Sequence, residues 1–452
     1  MTERLVVIGG DAAGMSGSSQ ARRRRGPDDL QIDVFEKTGW VSYSACGEPY
    51  FIGGEVTDLT SLVARTPEQF AARDIAVHLG HEVMSIDTSA RTVIVRSGGT
   101  DRTESYDQLL YTTGAAPLRP PIEGIDLVGV HTLKTLDDAL AIKNAAAQVS
   151  DAVIVGGGYI GLEVAEAFHH LGINVTIVTS GDTVLNRTLD PEMGALATDA
   201  IRKKGIPVIT GRRVRCLPDD SGRVGGVSCD DERVDAQLVI LALGFAPVSG
   251  LAAASGIPLG PTGAVAVDDH QRTAIDGIWA AGDCAEALHR VSRQPVNLHL
   301  GTVANKQGRV AGINLGGGDA SFPGVLGTAI TKVLDIEMAR TGLTVDEAIA
   351  AGFDAVAATT RSTTMAGYWP ASSPMTLKVT AEVGTGRLLG AQIVGGPTAG
   401  KRVDILAAGI WEATSGHDFS MMDLSYAPPF SGVWDPVLVA ARNAADAAMS
   451  GV

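Results

Sequence analysis

The sequence predicts an α/β protein with two Rossmann-like modules and a separate C-terminal α/β domain. Three observations predict it. A strand, a Gly-rich turn, a helix and a second strand can be read between Leu5 and Glu36. The same order recurs between Ala152 and Val178. From about Phe322 the chain changes to alternating apolar runs and turns. A repeated βαβ unit, each copy opening on glycines, is the start of a dinucleotide-binding module, and two copies imply two nucleotides.

In chain order, the first module begins with residues 5–8 as a strand, turns through Gly9 and Gly14, and ends its second strand at Glu36. Strand-like runs follow at 76–79, 91–96 and 108–114. Pro117, Pro120 and Pro121 then mark a crossing between domains. The second module runs from residue 152 through Gly161, with a helix to about Leu171 and a strand at 175–178. After the second module come runs at 238–247 and 277–284, and helix-like stretches lie at 344–351 and 399–414.

Composition agrees with several domains. The chain has 452 residues, and domains usually run to roughly 100–200. Hydrophobic residues make up 45% and charged residues 19%, as in soluble globular proteins. Formal charge is 36 − 51 = −15. A field of that sign repels nucleic acid, so no DNA or RNA partner is expected. There is no run of about 18 apolar residues, so no membrane span is expected. The start at Met1 lacks the shape of a signal peptide. Cys46, Cys216, Cys229 and Cys284 form no C-x-x-C or close pair, which points to a reducing, cytoplasmic setting. The one basic run, Arg22, Arg23, Arg24 and Arg25, reads either as a solvated helix end or as a phosphate-binding patch.

The turn with Gly156, Gly158 and Gly161 is a full dinucleotide fingerprint. Its glycines allow a tight turn, close approach of backbone to a pyrophosphate, and helix-on-strand packing. In the first turn Asp11 stands at the middle position, so its side chain must point away from the pyrophosphate. Glu36 ends the following strand, where a carboxylate can grip ribose hydroxyls and favours an adenosine without a 2′-phosphate, as in FAD. The second module ends its strand at Val178, Thr179 and Ser180, with no carboxylate and no Arg nearer than Arg187. NADPH is therefore permitted there but not specified.

Three further segments matter together: Tyr111 to Pro117, Ile278 to Asp283, and Ser42 to Tyr50 with Cys46 at its centre. With these the chain resembles the pyridine nucleotide–disulfide oxidoreductase family over its entire length, and most of all its single-cysteine branch of coenzyme A disulfide reductases, NADH oxidases and NADH peroxidases. The resemblance implies an FAD-binding domain (residues 1–117 and 251–321), an NAD(P)-binding domain (118–250) and a dimerisation domain (322–452). It implies FAD and NADH or NADPH as cofactors. Their contacts would fall on Gly9, Ala12, Ala13, Gly14, Glu36, Lys37, Thr113, Gly114, Gly156, Gly158, Tyr159, Ile160, Gly161, Glu163, Gly244, Gly282 and Asp283. Tyr159 would close the nicotinamide pocket.

The same resemblance implies a cycle through Cys46. In dithiol members a second cysteine lies a short way along the chain. Here Val41 and Phe51 stand five residues to either side. Cys46 would therefore cycle as a mixed disulfide with a small thiol or as a sulfenic acid. Oxidase and peroxidase members carry a His where this chain has Ala12, which favours the disulfide reductases. Ser16, Gln20 and Arg23 match coenzyme A contacts, and Ser42 matches a substrate contact. Coenzyme A disulfide, or a similar low-molecular-weight disulfide, is the expected substrate. Oxygen, polysulfide or quinone would be rival acceptors on the same scaffold, and a flavin electron carrier for a protein partner is the rival of another class. Two departures stand out: Ala45 replaces an Asn, and Glu48 replaces an apolar residue. A carboxylate near Cys46 would raise the thiol's pKa, whereas the nucleophilic step needs it depressed. Tyr368 and Tyr426 match tyrosines that reach the partner's cysteine in a homodimer. No metal site is expected: His169 and His170 are adjacent and face apart, and His78 and His81 lack ligand partners.

Overall fold

The structure, a computed structural model, describes residues 2–230 and 232–450. The chain start at Met1 and the outer domain limits expected at 1 and 452 lie outside the described residues.

Two parallel five-stranded sheets form the first two-thirds of the chain. The first has the order Ile278–Ala280, Gln108–Tyr111, Glu3–Ile8, Leu30–Glu36, Ala76–Leu79. The second has the order Val208–Ile209, Asn174–Val178, Asp151–Val155, Leu238–Leu241, Val130–His131. The central strands are apolar on both faces, as a sheet covered on both sides requires: Leu5, Val6 and Val7 are fully buried, and so are Val153 and Ile154. The repetition goes further than the βαβ unit. Each module also carries a three-stranded antiparallel sheet, Glu82–Asp87 with Thr92–Ser97 and Thr100–Ser105 in the first, Val214–Pro218 with Val224–Cys229 and Glu232–Asp235 in the second.

The chain leaves the first module and comes back. Ala115–Pro117 on the way out pairs antiparallel with Phe245–Pro247 on the return. The strand Ile278–Ala280 then joins the edge of the first sheet, and the helix Gly301–Leu315 packs on the helix Ala12–Arg22. Small residues let these two helices touch at backbone distance. A Cβ on Gly308 would stand 2.2 Å from the Ala13 carbonyl oxygen, and one on Gly312 would stand 2.1 Å from that of Gly17.

The third unit is an antiparallel sheet in the order Ala329–Val333, Ile336–Gly342, Leu388–Gly395, Pro374–Glu382, Ala355–Thr363. The helices Val403–Trp411 and Pro436–Ser450 pack against it. Ion pairs fasten it to the second module: Lys378 Nζ lies 2.5 Å from buried Asp190 and from exposed Glu192. The Asp190 N–H donates to Gln392 Oε1 at 2.7 Å. Among the described residues, no helix is long and apolar enough to cross a membrane.

Candidate active site

The two Gly-rich turns are held by the same backbone contacts. Gly9 has φ +103°, and a Cβ there would stand 2.2 Å from the Thr112 carbonyl oxygen. Gly156 has φ +120°, with the Ala242 carbonyl oxygen at 2.1 Å from such a Cβ. A Cβ on Gly14 would meet the Gly9 carbonyl oxygen at 2.0 Å, and one on Gly161 would meet that of Gly156 at 2.2 Å. These four glycines are demanded by the protein's own packing. Gly158 is different: a Cβ there would meet no protein atom within 4 Å. Its smallness serves whatever lies against the turn.

Asp11, at the middle of the first turn, swings towards the Cys46 segment, where its Oδ1 accepts from the Tyr43 N–H at 3.3 Å. Burial raises its pKa to about 6. Glu36 uses both carboxylate oxygens locally, accepting from the Gly10 N–H and from the Thr38 N–H, each at 2.8 Å. Each oxygen keeps a second acceptor position for a ribose hydroxyl.

Both turns open on one cleft of about 2770 Å³ between the modules. Ligand pockets commonly measure roughly 300–1,000 Å³, so there is room for two dinucleotides. Nearly all the expected cofactor positions line it: Gly9, Ala12, Ala13, Glu36, Lys37, Thr113 and Gly114 at one end, Gly282 and Asp283 beside them. Gly156, Gly158, Tyr159, Ile160, Glu163 and Gly244 line the other end. Gly14 and Gly161 sit behind the wall, in the packing role above. Thr113 spends its hydroxyl on the Val248 carbonyl at 2.6 Å, and the Gly282 N–H donates to Gln307 Oε1 at 2.9 Å.

Cys46 stands on the 3-10 turn Ala45–Gly47, just before the helix Glu48–Gly53, and opens to the cleft. Cys216, Cys229 and Cys284 are buried elsewhere. The protein's own groups do not supply the depressed thiol pKa that the nucleophilic step needs, and Glu48 raises it as the sequence suggested. Burial pushes its pKa up, followed by the carboxylates of Glu163, Glu48 and Asp283, while Lys134 opposes them. Glu48 is the oddest member of this ring. It is 3% exposed, its Oε1 has no hydrogen-bond partner, and burial raises its pKa to about 8. Glu163 Oε1 accepts from the Thr331 hydroxyl at 3.1 Å, and burial raises Glu163 to about 7. Lys134, which sequence reasoning missed, has its Nζ 3.7 Å from Asp283 and 5.4 Å from the centre of the Phe245 ring. No local pattern marks it, because only the fold brings residue 134 beside residue 283.

The structure does not bring every expected residue to this cleft. Ser16, Gln20, Arg23 and Ser42 lie outside its lining. Ser16 donates to the Asn305 carbonyl at 3.0 Å, and Gln20 is buried with its Oε1 bound to Arg24 at 2.9 Å. Arg22 donates to the carbonyls of Arg25, Leu30 and Asp74, and Arg25 pairs with Glu3. Three of the four arginines in the basic run, Arg22, Arg24 and Arg25, are thus bonded within the protein, and Arg23 remains exposed at the helix end. Ser42 is held in a left-handed conformation, φ +50°. Tyr368 and Tyr426 also lie away from the cleft, on the third unit, 76% and 46% exposed. Near them in sequence, Phe430 and Trp434 are 73% and 52% exposed. Asp268, Asp269 and His270 form an exposed group with ligand-like atoms, but His270 is bound through both ring nitrogens to Asp269 and Asp319.

Two dinucleotide turns facing one cleft, with a solvent-open thiol between them, define an FAD-dependent NAD(P)H oxidoreductase. The chain belongs to the pyridine nucleotide-disulphide oxidoreductase family, whose model matches residues 3–308 and whose dimerisation-domain model matches residues 328–436. The NAD(P)H coenzyme A polysulfide/persulfide reductase of Pyrococcus horikoshii is 39% identical over 445 residues, covering 98% of each chain. An NADH oxidase of Methanocaldococcus jannaschii is 33% identical, again across 98% of each chain. The solved structure of an NAD-dependent persulfide reductase from A. fulgidus has 37% sequence identity and a TM-score of 0.93, covering 97% of this chain and 82% of that one.

Proposed function

We propose that this chain reduces a low-molecular-weight disulfide, coenzyme A disulfide before others, with Cys46 as its one redox-active sulfur. The observation that carries the reading is the isolation of that sulfur: it opens to the shared cleft, and the other three cysteines are buried. It has no internal partner, so its oxidised form is a mixed disulfide with a small thiol or a sulfenic acid, and a disulfide substrate leads to the first. Gly9, Gly14 and Glu36 would hold FAD; Gly156, Gly158 and Gly161 would hold the nicotinamide nucleotide. Bound flavin would relay two electrons from the nicotinamide. The Cys46 thiolate attacks one sulfur of the disulfide; a new S–S bond forms and the other half leaves as a thiolate. Two electrons originating in NAD(P)H then break that bond, so that NAD(P)H, one proton and RSSR give NAD(P)+ and two RSH. In a homodimer built on the third unit, Tyr368 and Tyr426 would come from a second copy and donate to the leaving thiolate. The exposed aromatic patch around them supports such an interface.

A mass spectrum of the protein under denaturing, non-reducing conditions tests this. An adduct of coenzyme A mass on Cys46 supports the reading, and a bare thiol after exposure to coenzyme A disulfide rejects it. Cys46→Ser should lower disulfide-dependent NAD(P)H oxidation by about 1,000-fold or more while the flavin still bleaches. A second reading, reduction of persulfide or polysulfide sulfur at the same thiol, is favoured by the names of two relatives. Sulfide released from polysulfide would mark it.

A further inference from the structure

The second module's ribose end is more cationic than its sequence around Thr179 suggests. The strand Asn174–Val178 is flanked by Val208–Ile209, and this pairing draws a distant segment to the same spot. The Thr179 N–H donates to the Ile209 carbonyl at 2.9 Å, and the Arg212 N–H donates back to the Thr179 carbonyl at 3.2 Å. The Gly211 N–H donates to the Gly181 carbonyl at 2.9 Å. Arg212 and Arg213 therefore sit beside Ser180, and all three line the cleft. From the other side, the loop after the strand folds back on the fingerprint through a bond from the Leu185 N–H to the Gly157 carbonyl at 2.8 Å, and brings Arg187 to the same rim.

The charges there do not cancel. Arg212 is paired with Asp230 at 2.8 Å, and Arg215, also on the rim, with Glu123 at 3.7 Å. Among the described residues, Arg187 and Arg213 have no ion-pair partner. A third carboxylate, Asp182, lies beside Gly211, so among the described residues four guanidiniums face three carboxylates and keep this end positive in a chain whose formal charge is −15. The first module has Glu36 at the matching strand end, which would repel a 2′-phosphate.

We propose that this rim takes the 2′-phosphate of the adenosine ribose, with Ser180 and the Arg212 and Arg213 guanidiniums as its donors, and so selects NADPH over NADH. The inference rests on the second module holding the nicotinamide nucleotide, and it does not depend on the identity of the disulfide. A guanidinium fork matches two phosphate oxygens at once, and among the described residues no carboxylate is paired with Arg213.

The test uses the holoenzyme without any disulfide, so that failure of the substrate reading leaves the readout intact. Anaerobic flavin bleaching is followed with NADPH and with NADH, and binding of 2′,5′-ADP and of 5′-AMP is measured by calorimetry. The expected result is at least about tenfold preference for NADPH and for 2′,5′-ADP, as one charge-assisted phosphate contact provides. Arg213→Ala and the double variant R212A/R213A should each reduce both ratios, the double variant to near unity. Arg213→Lys should keep part of the preference. Ser180→Asp, which restores a ribose-end carboxylate, should turn it towards NADH. Flavin content reports on folding in each variant. Equal affinity of the unaltered protein for 2′,5′-ADP and 5′-AMP, or ratios unmoved in R212A/R213A with full flavin content, overturns the proposal.

Discussion

The first and second modules share a scaffold, and two of the positions at which they differ matter most. In both, the outer glycines are wedged against a carbonyl of the neighbouring strand's extension, Thr112 in one and Ala242 in the other. In both, the last glycine seats the helix on the first. The modules part at the middle of the turn, Asp11 against Gly158, and at the end of the second strand, Glu36 against Thr179 and Ser180. Asp11 is tied to the Tyr43 N–H, so the first turn is welded to the segment that carries Cys46. Gly158 faces open space. The lesson is a division of labour: packing fixes the turn, and the two variable positions decide what each turn accepts and what it is coupled to.

The harshest way to break this comparison is to fill the wedge in each turn separately. A methyl at Gly14 or Gly161 would overlap a backbone carbonyl that cannot retreat. Gly14→Ala should yield protein without flavin, read from its visible spectrum. Gly161→Ala should keep its flavin yet lose roughly 100-fold or more in bleaching by NAD(P)H, because an ångström of misplacement costs that much. Loss of flavin from Gly161→Ala would show that the modules are not independent.

The variable positions should respond more gently. Glu36→Ala leaves the Gly10 and Thr38 N–H groups without their acceptor and removes the ribose grip. Two such losses predict flavin binding weaker by about 10–100-fold, measured from the fluorescence of released flavin. Gly158→Asp should fold well, since the space is open, but its carboxylate has no counterpart of Tyr43 to turn to. The KM for NAD(P)H should rise by about tenfold, whereas Asp11→Gly keeps its flavin. Similar effects from both exchanges would erase the distinction drawn between the two turns.

Much of this was readable in the sequence because it is local. The strand–turn–helix order around Gly9 and Gly156 lies within some thirty residues, and so does the spacing that places Glu36 at a strand end. The isolation of Cys46 could be read from its neighbours in the same way. What escaped was set by long-range pairing. Lys134 meets Asp283 only because the chain crosses out of the first module and back. Arg212 reaches Thr179 only through a parallel strand. The long helix Gly301–Leu315 was not read from its sequence, and its Gly308 and Gly312 make sense only beside the helix Ala12–Arg22. The pKa of Cys46 depends on carboxylates from both modules, which no window of sequence contains.

That last point gives the finest test of the comparison, because Glu48 follows Cys46 on the first module's segment and Glu163 belongs to the second. Each raises the thiol's pKa when ionised, Glu163 more than Glu48. Their own pKa values, about 7 and about 8, mean that their charges appear only as pH rises through that range. Below it both are neutral and cannot repel a thiolate; above it both do. In the reduced protein, alkylation of Cys46 by iodoacetamide should therefore rise with pH more shallowly than for an isolated thiol. Glu163→Gln should accelerate it severalfold near pH 9, and Glu48→Gln should accelerate it less. All three proteins should converge near pH 6, where the carboxyls are protonated. A Glu48→Gln profile that matches the unaltered protein across the whole range would leave Glu163 and Asp283 as the carboxylates that act on the sulfur.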